Sequence, residues 1–263
     1  MTLSLLGLLF LFGAVIGSFL NVCAYRIPLG ESIVFPGSRC PQCGHAIRWH
    51  DNLPIFGWLL LRGRCRDCGT AISVEYPLVE TLAALLTVWV GHRFGLTFPA
   101  FALMLLGYAF LVLAVIDFHH YILPDVITLP GTAVGLAIAF LPWSAPPLPG
   151  WQDALLGAVG GGGFLFAVAW GFEKLTGRQG MGLGDVKLLA MIGAWMGWKA
   201  LPLAIFGSAV IGTVVGVAWM VVAGRDRRLP IPFGPYLILA AWAHLFYGRE
   251  IYQWYWRLVY GYG

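Results

Sequence analysis

A chain of 263 residues that is 59% hydrophobic and only 11% charged, with a mean hydropathy of +0.80, lies far outside the composition of soluble domains. Those proportions exclude an ordinary water-soluble enzyme and describe an all-α polytopic membrane protein. The net charge of +4 is small, and because Lys and Arg gather in particular loops it reads as membrane topology, with no nucleic-acid partner implied.

Apolar runs close to the roughly 20 residues that cross a bilayer predict eight helices, at 3–25, 76–93, 99–117, 125–143, 152–172, 186–200, 203–223 and 233–248. The predicted organisation is a first helix over 1–25, a polar loop over 26–75 and a seven-helix body over 76–263. The first run has no basic leader and no small-x-small cleavage site, so it reads as a retained helix. Its Gly13, Gly17 and Ser18 would let a neighbouring backbone pack closely, and Asn21 could hydrogen-bond across that contact or simply face the membrane interface. The loop, at about 50 residues, is long for a structureless connection and too poor in apolar residues for a core of its own, so it calls for a staple. Further along, Gly160 to Gly163 fall inside a span, where they permit either close helix packing or an unwound hinge.

Loops kept in the cytoplasm are enriched in Lys and Arg. An external N-terminus leaves Arg93, Lys199, Arg249 and Arg257 outside and the other twelve of 16 inside, among them Arg225, Arg227 and Arg228. Eight spans then place both termini outside and the 26–75 loop in the cytoplasm.

Within that loop, Cys40-Pro41-Gln42-Cys43 and Cys65-Arg66-Asp67-Cys68 form a C-x2-C…C-x2-C pattern, each pair followed by a glycine, Gly44 and Gly69. Four thiolates make a closed tetrahedral zinc site that staples a small loop without doing chemistry. Disulfides or redox exchange are the alternative, disfavoured in a reducing cytoplasm. Four cysteines suffice, so His45 and His50 are expected to be solvated, and Cys23 to be a buried apolar residue.

Most of the acids belong to loops or helix ends. Asp117 closes an apolar run at the cytoplasmic end of its helix, where a carboxylate opposes the helix dipole and asks for a reason. Asp185 opens the sixth span at the same membrane face, in Gly182-Leu183-Gly184-Asp185 with Lys187 following. The two glycines would let a substrate backbone approach the carboxylate. Two carboxylates brought together there could act as general base and general acid on one water, as in aspartic proteases, although a helix-capping role for Asp185 is an equal alternative on chemistry alone. Asp125 fits a helix cap. Glu80 sits a turn deeper than Glu75 and could pair with Arg26 or Lys187, or contact a substrate. A different function class, a proton-coupled membrane transporter using Asp117, Glu80 and Asp185 as a relay, would want these acids nearer the midplane along one polar path.

The motifs in order resemble the type IV prepilin peptidases, membrane aspartyl peptidases that serve type IV pili and type II secretion. Gly17-Ser18-Phe19-Leu20-Asn21-Val22 with Tyr25-Arg26 looks like the family's first helix. Cys40 to Cys68 match its zinc loop, Glu75 to Glu80 the opening of its second helix, Asp117 with Leu123-Pro124-Asp125 one catalytic segment, and Gly182 to Lys187 the other. The stretch Phe56-Gly57-Trp58 is bulkier than the serine-containing version associated with the family. The resemblance implies that Asp117 and Asp185 are the catalytic pair, that the substrate is a type IV prepilin or pseudopilin, and that the enzyme lies in the bacterial inner membrane with periplasmic termini. It also implies N-methylation of the new N-terminus with S-adenosylmethionine, for which no glycine-rich Rossmann-type motif is present.

Overall fold

The computed structural model describes residues 1–142, 146–178, 180–223 and 232–261, with backbone alone at 222 and 223. The basic cluster Arg225, Arg227 and Arg228 that weighed in the orientation lies outside the described residues. Among those described, the chain is all helical. Its elements are α1 Leu3–Arg26, α2 Phe56–Leu60, α3 Glu75–Phe94, α4 Phe98–His120, α5 Asp125–Ala139, α6 Trp151–Thr176, α7 Leu183–Met196, α8 Leu201–Ala223 and α9 Gly234–Tyr260, with a 3-10 turn at Trp198–Ala200. Each predicted span therefore meets a helix, and α2 is an addition inside the loop.

Among the described residues, four segments are long and apolar enough to cross a membrane: Leu3–Arg26, Phe98–His120, Trp151–Thr176 and Trp198–Val221. The others fall short for local reasons. At 15 and 14 residues, α5 and α7 reach about 22 and 21 Å, less than the roughly 30 Å hydrocarbon core. The longer α3 and α9 carry charges along their length, Glu80 and Arg93 in one and Arg249, Glu250 and Arg257 in the other.

The chain forms two compact units, Met1–Val112 and Leu113–Gly263. In the first, α1 lies against α3 through missing side chains. A Cβ on Gly17 would stand 2.6 Å from the Glu80 Cα, and one on Gly13 would meet Thr87 and stand 2.7 Å from the Ala84 Cα. Of the two roles open to Asn21, the structure has the cross-helix bond, its amide donating to the Tyr76 carbonyl at 3.1 Å. The buried Arg26 turns back on the loop, donating to the carbonyls of Ser32 and Gly37 at 2.9 and 3.4 Å. Deeper in the loop, Trp58 is anchored by donation from its Nε1 to the Ile72 carbonyl at 3.0 Å, with its ring against Gly63.

In the second unit α7 is the central helix, apolar nearly all round, with Leu188, Leu189 and every residue from Met191 to Met196 buried. Gly193 on α7 and Gly157 on α6 meet backbone to backbone, each occupying the place where the other's Cβ would be. Gly161 continues the contact, a Cβ there standing 2.8 Å from the Leu189 carbonyl oxygen. From the four-glycine run, Gly161 and Gly162 thus face α7 within an unbroken α6, which is the close-packing reading. On the other side Trp195 reaches α5, donating from Nε1 to the Gly131 carbonyl at 2.7 Å.

This packing separates glycines that must stay glycine from those that need not. Gly193→Ala should destabilise the protein by about 1–3 kcal/mol through overpacking. Gly163→Ala, with nothing within 4 Å of its added Cβ, should be neutral or stabilise by about 0.5–1 kcal/mol. Thermal unfolding midpoints of the two variants in detergent, which should move in opposite directions or in one case not at all, check this.

Candidate active site and metal centre

Three helix ends gather in the second unit. Asp117 lies near the C-terminal end of α4, Asp185 in the first turn of α7, and Gly234 opens α9. Asp117 is buried, and its Oδ2 accepts the Gly234 N–H at 2.9 Å. The acid that opposes its own helix dipole is thus placed at the N-terminus of another helix, where free N–H groups and the positive dipole end favour an anion. A Cβ on Gly234 would stand 2.8 Å from that oxygen and 3.2 Å from Leu123 Cδ2, so any larger residue would have to displace the carboxylate.

Leu123 links this corner to the second acid. Its Cβ would be 3.0 Å from a Cβ on Gly184, so Gly184 and Gly234 both leave room for the same leucine. One residue beyond Gly184 is Asp185, close enough to feel the charge of Asp117. Asp185 is half-buried, and among the described residues no donor holds its carboxylate. Gly182 is exposed beside it, with open space on its side: the nearest atoms to an added Cβ are 3.9 Å away, at Gly184 N, and 4.0 Å away, at Asp185 Oδ2. Lys187 does not face this corner freely. Its Nζ donates to both carboxylate oxygens of Asp125 at 2.7 Å, tying α7 to α5. Asp125 is accordingly an ion-pair partner in the first turn of α5 and makes no side-chain cap.

Glu80 belongs to the first unit. It is buried, and it accepts the Ile55 N–H at 2.6 Å, with the Ser18 side chain nearby. Arg26, considered as its partner, is engaged with the loop carbonyls instead.

The four cysteines of the loop converge. Each pair forms the same knuckle: Gly44 N–H donates to the Cys40 carbonyl and Gly69 N–H to that of Cys65, both at 2.9 Å, with both glycines at φ of +71°. A single antiparallel bridge closes each knuckle, Arg39 with Ala46 and Arg64 with Ala71. All four sulfurs lie within 4.8 Å of one another, and Cys40 Sγ is 3.8 Å from Cys68 Sγ. Metal–sulfur bonds of about 2.3 Å in a tetrahedron require sulfur–sulfur edges of about 3.8 Å, so the donor set fits a metal ion. The thiol chemistry agrees. N–H groups of Cys43 and Gln42 aimed at Cys40 lower its pKa to about 7. Cys68 receives the Thr70 N–H, yet desolvation and the other three thiols push it up to about 12. Collecting four thiolates thus needs a cation. His45 and His50 are exposed and Cys23 is buried in α1. Beside the knuckles, Arg66 grips Asp51 with two bonds of 2.6 and 2.8 Å, and that guanidinium holds the Asp51 carboxyl below its usual range.

Sequence reasoning missed Gly234 and the Ile55 contact of Glu80. Gly234-Pro235 at the start of an apolar run is a legible helix opening, but nothing local connects it to an acid 117 positions earlier.

Residues 11–94 match the family model for the bacterial peptidase A24 N-terminal domain, and residues 104–217 match the type IV leader peptidase family. A Pseudomonas putida protein is 43% identical over 263 residues, covering 91% of this chain and 90% of its own. The chain belongs to the type IV leader peptidase family. A relative from Pseudomonas aeruginosa is 41% identical, covering 92% of this chain and 90% of its own, and one from Aeromonas hydrophila is 39% identical, covering 94% and 92%. All three relatives bear the name prepilin leader peptidase/N-methyltransferase. No solved structure matches the chain.

Elemental analysis of this family member, purified under reducing conditions, should find about one divalent metal ion per chain. Stripping the ion with a strong chelator should make the 26–75 loop sensitive to protease while the helices persist. Protein that contains no metal and keeps a protease-resistant loop would contradict the assignment.

Proposed function

We propose that the chain is a membrane aspartyl endopeptidase that cleaves the leader from type IV prepilins or pseudopilins at the cytoplasmic face of the bacterial inner membrane, and then N-methylates the new N-terminus. The observation that carries the peptidase reading is the convergence of Asp117 and Asp185 around Leu123, from segments far apart in sequence, in a chain about 40% identical to named leader peptidases. Eight membrane-embedded helices, periplasmic termini and a cytoplasmic zinc loop over 26–75 complete the proposal. Positive charge concentrated in the loop supports that orientation, and the four-thiol cluster supports zinc, the usual ion of such a site.

The chemistry follows from the placement. One water between the two carboxylates gives a proton to the ionised acid as its oxygen attacks the scissile carbonyl carbon, while the protonated acid donates to the carbonyl oxygen. Collapse of the tetrahedral adduct breaks the C–N bond, and the leaving nitrogen takes up a proton from the pair. The proton belongs to the dyad and not to one residue. The Gly234 N–H fixes the rotamer of Asp117, leaving Asp185 open on the side of Gly182, where an extended backbone has room. A prepilin leaves its hydrophobic segment in lipid and presents its scissile bond at the membrane interface, where acids at helix ends can reach it.

S-Adenosylmethionine, implied by the relatives' name, would supply an activated methyl group for the amine that cleavage exposes.

Asp117→Asn and Asp185→Asn should each lower leader cleavage by about 10²–10⁴-fold or more while the protein still inserts and folds. Incubation with a prepilin followed by intact-mass measurement separates leader loss from methyl gain. Normal cleavage by both variants would overturn the assignment of the pair.

A further inference from the structure

The first unit contains a cavity of about 650 Å³ between the ends of α1 and α3 and the four-cysteine loop. Its size lies within the range of about 300–1,000 Å³ typical of small-molecule sites. Three aromatic residues, Tyr25, Trp58 and Tyr76, line it together with several acids and arginines. Two of those acids are neutralised by arginines. Asp51 is held by Arg66, and Asp67 lies 3.9 Å from Arg48. Glu31 is exposed to water.

Glu80 differs from all of these. It lines the cavity with only 7% of its surface exposed, and among the described residues it has no cationic partner. Its carboxylate accepts the Ile55 N–H at 2.6 Å, and the Ser18 side chain lies nearby. A buried carboxylate without a counter-charge is costly, and a cation bound in the cavity would offset that cost.

The Ile55 bond shows how firmly the group is positioned. Ile55 has φ of 65° and ψ of −54°, and the Phe56 N–H bonds back to the Pro54 carbonyl at 2.6 Å. This is a γ-turn of the strained hand, which a β-branched residue avoids unless its surroundings enforce it. Glu80 thus joins α3 to the wall of the cavity.

We propose that this cavity binds S-adenosylmethionine, with Glu80 as the carboxylate that compensates the ligand's positive charge. The proposal rests on the methyltransferase reading. The aromatic residues suit a purine ring, the arginines suit the amino-acid carboxylate, and the buried anion suits a sulfonium. S-Adenosylhomocysteine, the same molecule without the methyl group, lacks the sulfonium charge and should gain little from Glu80.

Glu80→Gln isolates the charge, because the glutamine carbonyl can still accept from the Ile55 N–H. Binding is measured by equilibrium dialysis of labelled S-adenosylmethionine against the full chain in detergent, with metal content verified, and by competition with S-adenosylhomocysteine. Glu80→Gln should weaken S-adenosylmethionine about tenfold, the loss of one charge-assisted contact, and leave S-adenosylhomocysteine within about twofold. Equal affinities in Glu80→Gln and wild type, when wild type binds the donor and methylates a cleaved pilin, would overturn the site while the methyltransferase reading stands. A wild-type chain that neither binds nor methylates would overturn both. If the variant folds poorly, ultraviolet cross-linking of the labelled donor to wild type decides. Label on Tyr25, Trp58 or Tyr76 supports the site, and label confined outside residues 18–80 overturns it.

Discussion

The bond from the Gly234 N–H to Asp117 is the interaction on which the candidate active site depends. A carboxylate at the C-terminal end of an apolar helix meets the negative end of its own dipole and would be expensive to bury alone. The start of α9 supplies the opposite dipole end and an orphan donor, so two unfavourable helix termini satisfy one another. The leucine that follows α4 fills the remaining space, with glycines at 184 and 234 shaped around it. Asp185 is then delivered by α7, whose depth is set by backbone contact at Gly157 and Gly193 and by the Trp195 bond to Gly131. Packing far from the acids therefore determines where they are.

The first unit meets the same constraint differently. In a chain with so few charged residues, each buried one has an identifiable partner or lacks one conspicuously. Arg26 organises the loop through its carbonyls, Asp51 and Arg66 brace the knuckles, and Glu80 holds a strained turn with no cationic partner among the described residues. The two cysteine knuckles repeat one geometry, each with a left-handed glycine after its second cysteine, which is the conformation glycine adopts without steric cost.

Much of this is legible in the sequence. Hydropathy locates eight of the helices to within a few residues, except that the predicted last span stops at 248, well before the end of α9, because the run from Arg249 to Tyr260 mixes charged and aromatic residues and is no longer continuously apolar. Cysteine spacing anticipates the four-thiol cluster, since its geometry is set locally by short knuckles. Asn21, Gly13 and Gly17 read correctly as helix-contact residues because small and amide side chains have few other uses in an apolar helix. What local pattern does not contain is long-range pairing. The partner of Lys187 is Asp125, 62 positions away, and that of Asp117 is Gly234. Both are products of tertiary packing, which brings together residues whose own neighbourhoods give no sign of the contact.

The central claim is that Asp117 and Asp185 occupy one site. A double variant, Asp117→Cys with Asp185→Cys, tests it directly when a short bifunctional thiol reagent is applied to the metal-loaded protein and the digest is analysed by mass spectrometry. The account predicts an intramolecular link joining the peptides that contain positions 117 and 185. Labelling of each position singly, with no link between them at any short reagent length, would contradict it.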